Sequence, residues 1–324
     1  MVHYRIIFAS LLSGIVVFSC ACTNKISVPA PPPPVNQYTL DPSFGTNGYF
    51  SANAGPIRVD SNNTLWVGEP PSPSYNSLLQ YLTDGTLMQA VTEVNAGTNY
   101  WPADTTVGVG FDGYVYVWEN PSVLGFFVNG TTGVGSGGLT FAGDATGLNG
   151  DSAVGVAASN TYAYVLDSQN PRILLYNIAG TGASKTFTFN SVFGNTGSVS
   201  LTFPSNLILN SAGTTVYVAD YNTSRIVEYG PTGNYLGAVT LTSVKPTDVA
   251  VDNSGNVFVG TDYTVHEVKE YNSNGAAITT FGGTLLTGTT GTALDSQGNL
   301  YVSNCCNGSP TFTNWGVFKF KKNW

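Results

Sequence analysis

The sequence predicts an all-β fold, a six-bladed β-propeller of four-stranded antiparallel blades whose ring is closed by the N-terminal strand. Three observations predict it. First, an aromatic-valine pair returns six times, as Trp66-Val67, Tyr116-Val117, Tyr164-Val165, Tyr217-Val218, Phe258-Val259 and Tyr301-Val302, at intervals of 41 to 53 residues. Periods of roughly 40 to 50 residues built from short strands mark radially repeated sheets rather than one continuous core. Second, each pair sits in the same local order: an apolar strand, a polar turn, the pair, a variable loop, and a third strand ending in an aromatic. Third, only 9% of the chain is charged, while Gly numbers 38, Tyr 18 and Phe 17. That composition suits strands and tight turns and argues against long solvated helices.

The chain is read in three parts. Residues 1–20 carry one positive residue, Arg5, and an apolar run from Ile6 to Phe18, too short for a spanning helix of ~20 residues and characteristic of an export signal. The join Val17-Phe18-Ser19-Cys20 resembles a bacterial lipobox, with Cys22 as a second frame. The resemblance implies acylation at Cys20 (or Cys22) and a lipoprotein anchored in the cell envelope, at the outer membrane; an ordinary secretory signal is the other reading. Residues 21–36 include the run Pro31 to Pro34, which favours polyproline II and reads as a tether. Residues 37–324 hold the repeats and suffice for one large domain. Loss of Arg5 with the signal leaves the domain strongly acidic. An acidic surface poor in Lys and Arg makes nucleic acid an unsuitable partner.

Within each unit the first strand leads into a hairpin turn. Asp252-Asn253-Ser254-Gly255-Asn256 and Asp295-Ser296-Gln297-Gly298-Asn299 show the logic: Asp caps its own turn and Gly takes the positive φ of a bulged hairpin. Third strands end in Tyr81, Phe126, Tyr176, Tyr229, Tyr271 and Phe320, and weaker fourth strands follow, as at 234–239 and 276–281. Burial is expected to fall from the first strand, lining the axis, to the fourth, facing water. Small residues at Gly108, Gly155, Ala250 and Ala293, with Arg58 and Ile208 as exceptions, suit strands converging on an axis, and Arg58, as a departure from that row, is itself a ligand-binding candidate. The last unit stops after its third strand, and residues 37–48 look like the end of a repeat, so the N-terminal strand is expected to complete the last blade.

These units resemble NHL repeats, best at Pro204 to Gly233, with VYVAD and SRIVEY, at Pro246 to Gly275, and at TALDSQGNLYVSN from Thr292. The first three units follow the pattern less closely; the third lacks the Gly-Asn turn. The resemblance implies the propeller fold and, for the Asp after the second strand, a loop-capping role.

Candidate functional residues fall mainly on the face shared by the loops between second and third strands and the connections between blades. Two residues after each valine stand Glu69, Glu119, Asp167, Asp220, Thr261 (with Asp262 next) and Asn304. Such a ring could hold a cation such as Ca²⁺, or each side chain could cap its own loop. Tyr221, Tyr263 and Trp315, with Trp101 in an inter-blade connection, could stack on a sugar or grip a peptide, or could roof the blade beneath. Cys305-Cys306 could form a vicinal disulfide, remain free thiols, or pair with another chain.

Enzymes among propellers resembling this one, of the gluconolactonase and streptogramin lyase types, need a metal near the axis or an acid-base histidine. The histidines are His3, lost with the signal, and His266; the inward carboxylate candidates are Asp248 and Asp151. No nucleophile elbow, CxxC pair or phosphate loop occurs. The leading expectation is a monomeric, non-catalytic binding or scaffold propeller without a cofactor, taking a protein segment or glycan on its loop face. A metal-dependent hydrolase or lyase is the alternative.

Overall fold

The computed structural model describes residues 38–51, 54–68, 78–91, 107–111, 114–119, 122–127, 139–140, 153–180, 185–197, 199–262, 264–304 and 316–323. Asn36–Trp324 forms one compact unit. The expected signal and tether lie outside the described residues.

Every sheet is antiparallel, and strands are numbered in chain order. β1 (Tyr38–Leu40) and β2 (Tyr49–Ser51) open the domain. The first blade is β3 (Ile57–Val59), β4 (Leu65–Gly68), β5 (Leu78–Tyr81) and β6 (Leu87–Val91). The second is β7 (Val107–Val109), β8 (Tyr114–Glu119), β9 (Ser122–Phe127) and β10 (Leu139–Thr140). The third is β11 (Ala153–Ala158), β12 (Tyr162–Asp167), β13 (Arg172–Ala179) and β14 (Thr186–Phe193). The fourth is β15 (Pro204–Leu209), β16 (Val216–Asp220), β17 (Arg225–Tyr229) and β18 (Tyr235–Thr240). The fifth is β19 (Pro246–Val251), β20 (Val257–Thr261), β21 (Val268–Tyr271) and β22 (Ala277–Phe281).

The sixth sheet departs from the four-stranded expectation. Its strands β23 (Thr289–Leu294), β24 (Leu300–Asn304) and β25 (Gly316–Lys322) are followed on the outer edge by two short pieces rather than one strand. β1 pairs with the end of β25, Tyr38 opposite Lys322, and β2 pairs with its start, Phe50 opposite Val317. The reason lies in residues 41–48, where Asp41 turns the chain by accepting the Ser43 N–H, and Gly45, Asn47 and Gly48 all take positive φ. Five regular blades and one composite sheet result. Their first strands lie side by side around the axis, with β23 next to β3.

The core is divided between sheets. One cluster packs Tyr114 and Tyr116 against Val156, Val165 and Leu174, and the next packs Tyr164, Leu166 and Ile173 against Leu207, Val218 and Val227. Equivalent clusters join the fourth sheet to the fifth, the fifth to the sixth and the sixth to the first. The aromatic-valine pairs thus act on both faces of a second strand, which explains a correction to the expected burial gradient. β16, β20 and β24 are buried at every position, whereas the first strands β15, β19 and β23 each include half-buried residues. Second strands have a neighbouring sheet on both faces; first strands have one edge on the axial channel. Outer strands such as β18 are mostly exposed, as expected.

Bulges recur where the sequence pattern changes. Pairing slips near the start of β11, β15, β19 and β23, again just before the aromatic that ends β5, β17 and β21, and before Tyr176 within β13. Each slip adds twist and re-aims the following side chain. The axial glycines have a steric cause: a Cβ on Gly108 would lie 2.1 Å from the Val156 carbonyl oxygen, and one on Gly291 would lie 2.7 Å from the Ile57 nitrogen. Adjacent first strands come too close there for any side chain.

Candidate functional site

Register aligns equivalent positions along the first strands. Opposite the aromatic of each pair stand Arg58, Gly108, Ala157, Ile208, Ala250 and Ala293. The third blade therefore contributes Ala157 to this row, not Gly155 as the sequence suggested. A bulge between Ala153 and Gly155 shifts the pairing, and Gly155 instead faces Leu166. Opposite the residue two beyond the aromatic lies a second row with Gly155, Asn206, Asp248 and Gly291.

Arg58 links the two rows. Its Nη1 donates to the Ile57 carbonyl at 2.7 Å and to Asp248 Oδ2 at 3.0 Å, and its Nη2 donates to Asp248 Oδ1 at 3.4 Å. Asp248 Oδ2 also accepts the Thr292 N–H at 2.7 Å. The pair thus spans the first, sixth and fifth sheets on the axis, with Asp248 0% and Arg58 8% exposed. Burial pushes the Asp248 carboxyl upward from its usual range, opposed by the Arg58 charge and the Thr292 N–H. Sequence reading singled out both residues but not their pairing, which crosses 190 positions.

Beside the pair is a cavity of about 260 Å³. Its lining comes from the ends of the first strands, including Val59, Phe111, Leu209, Val251 and Leu294, and from Ser61 and Ser211 in the hairpin turns. It therefore opens on the hairpin-turn face, opposite to the loop face on which the sequence places its candidates.

On the loop face, the described members of the carboxylate row hold their own surroundings. Asp167 accepts the Asn170 N–H and Arg172 Nε, both at 3.0 Å. Asp220 accepts the N–H groups of Thr202 and Phe203 at 3.1 and 3.0 Å, the Thr223 hydroxyl, and Arg225 Nε at 3.2 Å, so it ties the incoming connection to its own loop. Asp262 accepts the Thr264 N–H at 3.0 Å and the Tyr221 hydroxyl at 2.9 Å. Asn304 takes the N–H groups of Thr287 and Gly288 at 2.7 and 3.1 Å. His266 contacts the Thr287 carbonyl through Nδ1 at 3.0 Å.

Tyr221 is bracketed as well as hydrogen-bonded. Lys245 Nζ lies 5.6 Å from its ring centre and donates to the Asn222 carbonyl at 2.8 Å. Phe203 meets the same ring edge-on at 6.0 Å and is 50% exposed. Sequence reading missed Phe203; its place directly before the Pro204 that opens β15 was the available signal. Cys20, Cys22, Glu69, Trp101, Asp151, Tyr263, Cys305, Cys306 and Trp315 lie outside the described residues, as does the side chain of Glu119.

Solved structures share this fold. The chain superimposes on a luciferin-regenerating enzyme with a TM-score of 0.55 at 13% identity, over 84% of this chain and 92% of that one. It superimposes on a protein of unknown function from Bacteroides caccae with a TM-score of 0.50 at 14% identity, over 77% and 88%. At such identities the likeness concerns the fold alone. No family model matches the sequence, so the resemblance to NHL repeats rests on the repeat pattern. No curated protein matches it either.

Proposed function

We propose that this protein is an exported, lipid-anchored, monomeric binding propeller that takes a protein segment or glycan on its loop face and performs no catalysis. One observation carries the reading. Asp167, Asp220 and Asp262 are committed to bonds within and between their loops, while the half-exposed Phe203 is held outward on the bracket of Tyr221, Asp262 and Lys245. An exposed aromatic amid polar loops suits stacking on a sugar ring or an apolar side chain.

The metal-dependent hydrolase or lyase reading asks for free carboxylate oxygens on the axis. Both oxygens of Asp248 are engaged, by Arg58 and by the Thr292 N–H, which leaves that residue a poor ligand for Ca²⁺. Screening the protein on glycan and peptide arrays, beside a Phe203→Ala variant, tests the proposal. Binding that weakens roughly tenfold in the variant at unchanged melting temperature supports it. Array binding indifferent to Phe203, or turnover of a lactone panel with Ca²⁺ or Mg²⁺, overturns it. Labelling with a palmitate analogue tests the anchor separately: label retained after loss of both Cys20 and Cys22 refutes it.

A further inference from the structure

We propose that the axial cavity on the hairpin-turn face is a second binding site, for a compact, neutral, largely apolar molecule with one hydrogen-bond-accepting oxygen, such as a cyclic ketone. The inference does not depend on the loop-face reading.

Size and lining set the first limit. At about 260 Å³ the cavity falls below the roughly 300 to 1,000 Å³ of sites for drug-sized ligands. Its walls are chiefly Val, Ile, Leu and Ala from the first strands, with the partly exposed Phe111 at the mouth. That apolar share of the lining gives a small apolar guest surface to bury.

Charge sets the second limit. Arg58 and Asp248 form an ion pair, which leaves Asp60 as the one charge of the lining without a counter-ion among the described residues. Asp60, the carboxylate that lines the cavity, has its oxygens taken by the N–H groups of Asn62 and Thr64 at 3.0 and 2.8 Å, the Thr64 hydroxyl at 2.6 Å and the Trp66 indole N–H at 2.9 Å. An anion would lose its hydration beside Asp60, and a cation would do so beside Arg58 with the Asp60 oxygens already occupied. A neutral guest avoids both costs.

Arg58 then supplies the polar anchor. Of its five N–H groups, the Nε–H and one on Nη2 have no acceptor among the described residues. Arg58 is more than nine-tenths buried and lines the cavity. Donors held in so apolar a setting favour a guest with a carbonyl oxygen over an isosteric hydrocarbon.

The test uses the full chain with ¹³C-labelled alanine methyls, titrated with cyclohexanone, cyclohexanecarboxylate and benzene. The expected result is a saturable shift of the Ala157, Ala250 and Ala293 methyls. Cyclohexanone should bind on the order of tenfold tighter than either other probe. Ala250→Leu, which fills the cavity, should abolish binding. Should that variant not fold, Ser211→Trp, at an exposed position on the mouth, should weaken it at unchanged melting temperature. No saturable shift, equal affinity for benzene or the carboxylate, or binding untouched by the folded variant overturns the proposal.

Discussion

At the scale of single residues, stability turns on the groups that lie on the axis or between sheets. Removing Arg58 alone leaves Asp248 buried without its counter-charge, so Arg58→Met should cost ~3–5 kcal/mol in urea unfolding. Adding Asp248→Asn, which keeps an acceptor for the Thr292 N–H, should recover more than half of that loss. Glu270 predicts a pH effect. It is 1% exposed, its Oε2 has no hydrogen-bond partner among the described residues, and burial pushes its carboxyl above the usual range, helped by Asp252 and opposed by Lys322. A raised folded-state value means that Glu270's contribution is full below the unfolded value, about 4.3, and is lost as pH rises through the folded one. Glu270→Gln should therefore raise the melting temperature near pH 7 and flatten its rise on acidification; an unchanged slope would count against it. Arg58 was legible as an oddity because it breaks a row of small residues. Its partner was not, because ring closure, rather than any local pattern, brings the two together.

At the scale of elements, the hairpin turns follow their sequence closely. Asp252 accepts the N–H groups of Ser254 and Asn256, and Asp295 accepts those of Gln297 and Asn299 together with the Asn299 amide and the Tyr301 hydroxyl. Asp84 has a simpler task, accepting the Thr86 N–H. Asp295→Ala should thus cost roughly 2–3 kcal/mol and Asp84→Ala under about 1 kcal/mol, measured as shifts in the urea midpoint. Period, turns and aromatic-valine pairs were readable because each depends on neighbours a few residues apart. The bulges were not: a one-residue slip between paired strands of a sheet leaves no separate motif in the sequence. For that reason Gly155 was assigned the place that Ala157 holds, and Asn206, level with Asp248, went unnoticed.

At the scale of the whole molecule, closure rests on β1 and β2 lying along β25. Missing material at the end of the last repeat made this closure legible, but its division into two pieces depends on the turn at 41–48. Deleting residues 38–51 should bare the edge of β25 and strip Tyr38 and Phe44 from two inter-sheet clusters. Size-exclusion chromatography should then show self-association, and a variant that stays monomeric at full stability would show that closure needs no such strand. Because Tyr38 stands opposite Lys322, the first and last described strands finish side by side. Topologically the domain is a loop cut once. Joining those ends by a short linker and reopening the chain at the exposed Thr232, in the turn before β18, should yield a circular permutant with the same sheets, whose termini leave from the fourth blade instead of the sixth.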